Sequence, residues 1–321
     1  MKKCFMYIDD VIFVLRDIAR QKPASIYDHP FMTMLKSAHD LYGIKIQLNT
    51  FCRTDFFYGS DEFTLADMPE DYKKEFTEAS NWLKFGFHAK QEFPDYPYVN
   101  ARYEDIVIDF GYFKSEVSRF ACEDSVALGI VPHWNTMSKD GCRALASLGV
   151  KLIHATSGIV HEYNGDPTSL PYGHSFRLIH NRQPETKCYS RDSRNKAIDS
   201  SLCGYNHINE LKQNSGGKFQ SVKFDKETGL SLKDFGNGPI LNLYKLDELE
   251  DTFAPLMNDE YVSIGNHEQY FYNDYFAYQP EYADKLLTAA RIMCENGFEF
   301  IFIQQLTEVP SVRQKKQFLS V

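Results

Sequence analysis

The sequence predicts an α/β fold, namely a single (β/α) barrel of seven or eight parallel strands. Three stretches repeat one unit, in which a helical pattern ends at a glycine and an apolar strand follows. These stretches are YGIKIQLNTF at 42–51, LGVKLIHATSG at 148–158 and NGFEFIFIQQL at 296–306. Near-continuous apolar strands are typical of parallel sheets that are buried on both faces. No GxGxxG or Walker loop follows a strand, which makes an open doubly wound sheet the weaker alternative.

Each repeated unit carries signals for both ends of its helix. Before the first strand, Phe31, Met34, Leu35 and Ala38 recur at helical spacing, which predicts one apolar helix face. Proline or serine suits the start of a helix, and glycine suits its end. The predicted boundary residues are Pro30 and Gly43, Ser138 and Gly149, and Pro280 and Gly297. Further apolar runs are predicted strands: Cys4–Ile8, Leu83–His88, Val126–Val131, Ile240–Tyr244 and Tyr261–Gly265.

One polar stretch, from about residue 158 to 238, interrupts the repeated units. We interpret it as an insertion after strand five, which acts as a lid or as a contact in a homo-oligomer. Within it, the sequence around Glu227 to Gly229 predicts the turn of a hairpin. Residues 1–321 are therefore expected to form a single barrel domain that includes this insertion.

Composition excludes several classes of function. Hydrophobic residues make up 43% and charged residues 25%, as in an ordinary globular protein. The net charge of -9 argues against a nucleic-acid partner, and no apolar run is long enough for a membrane span. The seven cysteines form no CxxC pair, and strand one starts too early to leave room for a signal peptide. We therefore expect a cytoplasmic protein with reduced thiols.

Polar residues follow the predicted strands, where barrel enzymes place their chemistry. Two neighbouring carboxylates, in MYIDDV at 6–11, are costly to bury unless a cation or a proton neutralises them. Aspartate and histidine side chains that converge from separate strands suit zinc or a similar divalent ion. The residues in question are Asp9, Asp10, Asn49, Arg53, His88, Glu92, His133, Trp134, His154, His267, Glu268, Tyr270, Gln304 and Gln305.

The order of these residues resembles the polysaccharide deacetylase family of the glycoside hydrolase/deacetylase barrel superfamily. Asp9 and Asp10 match the family's Asp-Asp pair, in which the first residue is the catalytic base and the second is a metal ligand. His88 matches the first histidine of a His-x-x-x-His pair, and Glu92 stands in the place of the second. VPHW at 131–134 is the counterpart of the family's Arg-x-Pro-Tyr segment. His267 matches its general acid.

The resemblance implies a metal-dependent hydrolase that removes an acyl group, such as N-acetyl, from a saccharide. It assigns Asp10, His88 and Glu92 to a divalent ion, with zinc as the favoured metal, and Asp9 and His267 to catalysis. The spacing of four residues predicts that His88 and Glu92 share one face of a single helical turn. The ion is expected to hold the pKa of Asp9 low. Candidate substrate-binding residues are Arg53, His133, Trp134, His154, Glu268 and Tyr270.

Two alternatives remain open at the level of sequence. The first is a metal-free glycosidase that uses two carboxylates from Asp9, Glu92 and Glu268. The second is a barrel that binds a saccharide through its aromatic loops without turning it over. Those loops, EFPDYPYVNARY at 92–103 and HEQYFYNDYFAYQ at 267–279, flank the predicted site. They suit either sugar stacking or aromatic packing at the barrel end.

Overall fold

Parallel strands around the N-terminal strand organise the fold. The computed structural model describes residues 2–54, 62–92, 97–98, 101–135, 137–154, 222–233, 238–275 and 277–307. Its strands are β1 Lys2–Val11, β2 Ile46–Phe51, β3 Leu83–Ala89, β4 Gly129–Ile130, β5 Leu152–His154, β6 Lys223–Phe224, β7 Ser231–Lys233, β8 Tyr261–His267 and β9 Phe298–Phe300. Its α-helices are α1 Phe13–Gln21, α2 Pro30–Tyr42, α3 Lys73–Ala79, α4 Tyr103–Phe120, α5 Lys139–Ser147, α6 Leu249–Phe253 and α7 Tyr282–Glu295. Among these described helices, none has both the length and the apolar character that a membrane span requires.

The strands form two sheets. The first has the order β3-β2-β1-β8, with β9 also paired to β1, and all of its pairs are parallel. The second has the order β4-β5-β7-β6, in which only the β6–β7 pair is antiparallel. Parallel single bridges, Phe85 to Val126 and Ile240 to Gly265, extend the first sheet at its two edges. The described strands thus form a parallel half-barrel with helices packed on it.

The helix signals at Pro30, Gly43 and Ser138 are confirmed, whereas α7 begins at Tyr282, two residues after the predicted start at Pro280. Helix α2 begins at Pro30 and ends at Tyr42, and Gly43 takes the left-handed conformation with φ of 68°. Ser138 caps α5, because its Oγ accepts a hydrogen bond from the Gly141 N–H at 2.8 Å. Glycine at position 43 avoids the steric penalty that a side chain would meet in that conformation.

Two of the predicted elements need correction. The apolar run at 240–244 forms a 3-10 helix, Leu241–Leu243, and only Ile240 bridges to a strand. Part of the predicted insertion belongs to the sheet, because β7 pairs in parallel with β5 and forms a hairpin with β6. Of that stretch, residues 158–221 and 234–237 lie outside the described residues.

An aromatic cluster fixes β3 against its helices. Phe76 of α3, Phe85 of β3 and Phe120 of α4 are fully buried, and their ring centroids lie 5.5–5.7 Å apart in edge-to-face pairs. Each such pair contributes about 0.5–1.5 kcal/mol beyond the burial of its area. This packing fixes the strand that carries His88.

Candidate metal centre and active site

A cleft of about 350 Å³ lies at the carboxyl ends of the parallel strands. Residues from the ends of β1, β3 and β8, and from the loop after β4, converge on it. The predicted site residues that line it are Asp9, Asp10, His88, Glu92, His133, Trp134, His267 and Tyr270. Tyr7, Asn242, Gln269 and Tyr275 line it as well. Residues that the sequence analysis grouped from separate parts of the chain therefore line one cleft.

Three of these residues can hold a metal ion. Asp10, His88 and His133 are buried, and one potential ligand atom from each lies within 4.8 Å of the others. Asp10 Oδ1 is 3.2 Å from His88 Nε2 and 3.4 Å from His133 Nδ1. The two histidine nitrogens are 3.1 Å apart. The candidate ligand set is therefore one carboxylate and two imidazoles.

Backbone carbonyls set the tautomers of both histidines. His88 Nδ1 lies 2.6 Å from the Val131 carbonyl oxygen, and His133 Nε2 lies 3.1 Å from the Glu92 carbonyl oxygen. Since a carbonyl only accepts, each of these nitrogens carries the hydrogen and donates it. His88 Nε2 and His133 Nδ1 therefore direct lone pairs toward each other and toward Asp10.

This arrangement calls for a cation at the centre. Asp10 Oδ1 is buried and receives no hydrogen bond from the described residues. With both rings neutral, two nitrogen lone pairs and a carboxylate oxygen would face one another with no hydrogen between them. Only a proton or a metal ion relieves that repulsion. Histidines that donate their second nitrogen to a carbonyl are the usual ligands of protein metal centres, so the residues fit a divalent ion.

Electrostatics at the cluster point the same way. Burial alone would raise the pKa of Asp10, but His133 and His88 beside it hold that pKa well below its usual range. Burial would lower the pKa of His88, yet the neighbouring Asp9 and Asp10 carboxylates raise it overall. Positive charge is thus favoured at this point, and Asp10 stays ionised to meet it.

Asp10 owes its position to an unusual backbone. Its φ is 63°, in the left-handed region that non-glycine residues seldom adopt. Gln269 Nε2 donates a hydrogen bond to Asp10 Oδ2 at 2.9 Å, which leaves Oδ1 directed at the histidines. A strained residue held in this way is common at functional sites.

Glu92 contacts His133 at this centre, and the ligand role expected for it from sequence stays a prediction. Its backbone oxygen accepts the His133 Nε2–H, and its carboxylate Oε1 lies 3.8 Å from the same nitrogen. The expected helical turn through His88 and Glu92 does not form, because β3 continues to Ala89 and a bend follows. The cluster of potential ligands among the described residues is Asp10, His88 and His133.

Asp9 lies beside the cluster and is held by side chains of β2. Asn49 Nδ2 donates to Asp9 Oδ1 at 2.6 Å, Gln47 Nε2 donates to Asn49 Oδ1 at 2.8 Å, and the same Nε2 lies 3.0 Å from the Gly129 oxygen. Burial is the largest influence on the Asp9 carboxyl and raises its pKa, although His88 and His267 oppose this. The low pKa expected from sequence is therefore not a property that the protein's own charges give to Asp9.

His267 faces Asp9 across neighbouring strands. The two residues are register partners in the β1–β8 pair. His267 Nδ1 lies 2.9 Å from Asn242 Oδ1, and Gln279 Nε2 donates to the Asn242 backbone oxygen at 2.9 Å. With Nδ1–H donated to Asn242, the other ring nitrogen is the one available for proton transfer.

Aromatic side chains line the rest of the cleft. Trp134, Tyr270 and Tyr275 are among them, and the two tyrosine rings pack edge to face with centroids 5.2 Å apart. Trp134 and Asn135 have φ of 58° and 56°, two consecutive left-handed residues directly after His133. This turn places an aromatic ring next to the candidate metal centre.

Three predicted substrate-binding residues lie away from the main cleft. Arg53 lines a small neighbouring pocket with Asp10 and Glu92, and its Nε donates to Gln91 Oε1 at 2.5 Å. His154 is fully buried against Phe5 and Tyr7, and its Nε2 lies 2.9 Å from the Tyr261 hydroxyl.

Glu268 is also fully buried, where it accepts hydrogen bonds from the amides that begin α1. Burial raises its pKa to about 7, although those amide donors act in the opposite direction. Glu268 therefore contacts the start of α1, and His154 packs against Phe5, Tyr7 and Tyr261, so neither lines the main cleft.

Sequence reasoning missed two polar residues at the site and the role of a third. Gln269 contacts Asp10, and Asn242 contacts His267. Asn49 follows a predicted strand and was noted for that reason, but its role as a donor to Asp9 was not foreseen. A polar residue inside an apolar strand, as in IQLNTF at 46–51, is the signal that marks Gln47 and Asn49.

Comparison with known proteins adds information about the fold. No protein-family model and no curated protein matches the sequence. Solved structures that resemble it include the 4-alpha-glucanotransferase from Thermococcus litoralis, at TM-score 0.51 and 8% identity, with 97% of this chain and 41% of that chain covered. A putative polysaccharide deacetylase from Mycobacterium smegmatis matches at TM-score 0.47 and 8% identity, over 98% and 92% of the two chains. The structure described as T48 deacetylase with substrate matches at TM-score 0.30 and 9% identity, over 79% and 92%.

The chain spans only 41% of the length of the glucanotransferase. At 8% identity, the similarity to that enzyme concerns the fold and not the activity. It agrees with the parallel strands and packed helices described above. We conclude that this chain shares an α/β fold with the glucanotransferase, and its chemistry has to be argued from the site.

Proposed function

We propose that this protein is a metal-dependent hydrolase that removes an acyl group, in the first instance N-acetyl, from a saccharide. The observation that carries the proposal is the convergence of Asp10 Oδ1, His88 Nε2 and His133 Nδ1 within a cleft that Asp9 and His267 also line. This order of residues resembles that of polysaccharide deacetylases, with His133 from the strand-four loop in place of a histidine four residues after His88.

Asp10, His88 and His133 would hold the ion. Two imidazoles and one carboxylate are a donor set typical of catalytic zinc, so zinc is the metal we favour. A divalent ion bound there supplies Lewis acidity, which polarises the acyl oxygen and lowers the pKa of water from 15.7 toward about 7. The proton transfers of the reaction would be carried out by side chains of this protein.

Asp9 acts as the base. Its Oδ1 accepts the hydrogen bond from Asn49 Nδ2, which leaves Oδ2 to take a proton from the attacking water. Hydrogen bonding to Asn49 fixes the orientation of the carboxylate before substrate binds. A general base held in this way contributes about 10²–10⁴-fold to the rate.

His267 acts as the acid. Its Nδ1–H is held by Asn242 Oδ1, so its other nitrogen delivers a proton to the departing amine. Its register with Asp9 places acid and base on adjacent strands at the same level of the sheet. The amine can thus leave in neutral form.

The cleft also suits a saccharide. Trp134, Tyr270 and Tyr275 present apolar ring surface beside polar side chains, a combination typical of pockets for small ligands. Sugar rings would stack on these side chains while the acyl group reaches the cluster. Trp134 and Tyr270 therefore stay in the proposed substrate site.

We also infer that the two sheets belong to one barrel. Support comes from the parallel bridges at both edges of the first sheet, at Phe85–Val126 and at Ile240–Gly265. The first of these bridges leads directly into β4 of the second sheet. A barrel of this kind places the ends of all its strands around one cleft.

The glycosidase alternative is weakened by where its carboxylates lie. Glu268 faces the amides of α1, and Glu92 lies beside His133. A glycosidase needs an acid and a nucleophile or base on opposite sides of an open cleft. Of its three candidate carboxylates, Asp9 and Glu92 line the cleft, and the Glu92 carboxylate lies beside His133.

The proposal is tested by metal analysis followed by an assay of acetate release. Protein purified without chelator and then supplied with zinc is expected to hold one ion per chain. It is expected to release acetate from members of a panel of N-acetylated sugars and short oligosaccharides. Asp9→Asn and His267→Ala should keep the ion and lose about 10²–10⁴-fold in turnover.

A metal-loaded protein that turns over no substrate but binds the same saccharides would favour the binding alternative. Hydrolysis of glycosidic bonds, without acetate release, would contradict the proposed reaction. Equal turnover by Asp9→Asn and wild type would contradict the role given to Asp9.

A further inference from the structure

Glu268, the residue directly after His267, has contacts that the proposed reaction does not use. It is 0% exposed, and its carboxylate accepts three backbone hydrogen bonds. Oε2 accepts from the N–H groups of Ile12 and Phe13 at 2.7 and 2.8 Å, and Oε1 accepts from the N–H of Val14 at 2.6 Å. A buried carboxylate with three amide donors is a strongly held group.

The three amides are those that begin α1, and the helix has no cap of its own. Ile12 stands at the N-cap, where no side chain forms a capping hydrogen bond, and the first turn contains no acidic residue. The first N–H groups of a helix have no partner within the helix, so they must be satisfied from elsewhere. Glu268 satisfies them from a position 254–256 residues later in the chain.

The capped segment continues directly from Asp10. Asp10 has the left-handed φ of 63°, and α1 starts at Phe13, three residues later. Gln269, the neighbour of Glu268, donates to Asp10 Oδ2 at 2.9 Å. The segment Asp10–Val14, where β1 ends and α1 begins, is therefore held at both ends by two consecutive residues, Glu268 and Gln269.

We propose that Glu268 is a positioning residue for the candidate metal centre. It binds the amides of Ile12, Phe13 and Val14. Through them it holds the backbone of Asp10 in the strained conformation that directs Oδ1 at His88 and His133. Without these hydrogen bonds, the backbone of Asp10 would relax toward an ordinary conformation, and its carboxylate would turn away from the two histidines. The inference rests on the proposed function, because it presupposes that the cluster binds an ion.

A positioning role differs from a merely structural one in what it changes. A structural cap affects the thermal stability of the protein, whereas a positioning residue also affects the affinity of the cluster for zinc. Both quantities can be measured without knowledge of the substrate. The probe is zinc chloride, titrated by calorimetry into chelator-treated protein at one fixed pH, and thermal unfolding is recorded separately without zinc.

The test uses Glu268→Gln, Glu268→Asp and Gln269→Ala, with Val117→Ala as the matched control. Glutamine replaces one acceptor oxygen with an NH₂ group that opposes the amides, so zinc affinity should fall by about 10- to 100-fold. Aspartate keeps the charge but is shorter, and it should give an intermediate affinity. Val117 is fully buried in α4 and outside the cleft, so its truncation should lower the melting temperature while zinc affinity stays within about twofold of wild type.

The outcomes are distinct from those of the proposed function. If wild type binds zinc and the Glu268 variants bind it equally well, Glu268 is only a cap and the inference is wrong. If Glu268→Gln does not fold, Glu268→Asp and Gln269→Ala decide the question, since each should still weaken zinc binding. Wild-type protein that binds no zinc contradicts the proposed function itself, and this inference with it.

Discussion

Single atoms decide the chemistry of this site. His88 and His133 each give one nitrogen hydrogen to a carbonyl and turn the other nitrogen toward Asp10 Oδ1. In its neutral form, each histidine donates one N–H to a carbonyl and keeps the other nitrogen directed at Asp10, so it could receive an ion without rearrangement. Glu92, in contrast, contacts His133 through its backbone oxygen at 3.1 Å and its carboxylate at 3.8 Å.

We expect His133→Ala and Glu92→Gln to affect zinc binding very differently. His133 would supply a ligand nitrogen, so its loss should abolish stoichiometric binding. The Glu92 backbone oxygen, which a glutamine keeps, is the atom that accepts from His133. Glu92→Gln should therefore weaken binding by at most about tenfold, the lower end of the range for outer partners of metal ligands. Calorimetric titration with zinc checks both, and complete loss of binding in Glu92→Gln would restore Glu92 as a ligand.

His154 predicts how stability depends on pH. Burial, and then the nearby charge of Lys233, lower the pKa of His154 well below its ordinary value of 6.5. Below pH 6.5, His154 is protonated in the unfolded chain but stays neutral in the folded protein, so the unfolded state binds more protons. The contribution of neutral His154 to the free energy of unfolding should thus be fully present above pH 6.5. It should be lost as the pH drops, by up to about 1.4 kcal/mol per pH unit.

The variant His154→Gln isolates this effect, because glutamine can still bond to Tyr261 and does not titrate. Urea unfolding from pH 7 to pH 5 should show wild type losing stability relative to the variant. A difference between the two proteins that stays constant across this range would contradict the assignment of a buried neutral His154.

Elements bring these atoms together. Strand β2 carries the buried side chains of Gln47 and Asn49, and Gly86 of β3 leaves room for them. A Cβ atom at position 86 would overlap Gln47 Nε2 and Asn49 Oδ1. The support of Asp9 therefore depends on the pairing of two strands and not on Asp9 alone.

Replacement of Gly86 by alanine should disturb this support. Overlap in a packed interior costs about 1–3 kcal/mol of stability. Displacement of Asn49 would misalign Asp9, so turnover should fall by about 10- to 100-fold while zinc still binds. Unfolding and acetate release are measured on the same preparation.

Gly43→Ala is the matched control for the strand variant. Gly43 has a φ of 68° and no atom within 4 Å of an added Cβ, so alanine there is strained without touching the site. We expect a loss of about 1–2 kcal/mol of stability with unchanged turnover per folded molecule. Full activity in Gly86→Ala would show that Asn49 does not position the base.

The elements also show what sequence can predict. Helix α2 was predictable from Pro30 to Gly43, because proline and glycine mark boundaries by backbone geometry alone. The run at 240–244 was not, since a short apolar run does not distinguish a strand from a 3-10 turn. Strand ends pointed to Asp10 and His88. They could not select His133 over Glu92, because spacing along the chain says nothing of the distance between β3 and the loop after β4.

At the scale of the whole molecule, segments that are far apart in the chain converge on one cluster. Strand β1 carries Asp9 and Asp10, and the 267–269 segment after the long polar stretch contacts both the Asp10 turn and α1. An ion that binds this cluster only in the folded chain would raise the free energy of unfolding of the whole protein. Metal binding and unfolding are therefore linked measurements for this protein.

The central claim is that Asp10, His88 and His133 form a metal centre, and thermal unfolding at graded zinc concentrations tests it most directly. At free zinc about 100 times the dissociation constant, wild type should gain about 2.7 kcal/mol of stability. His133→Ala should gain nothing, although it folds. Asp9→Asn, which leaves the three ligands intact, should gain as much as wild type. Equal stabilisation of wild type and His133→Ala, or none in either, would contradict the account.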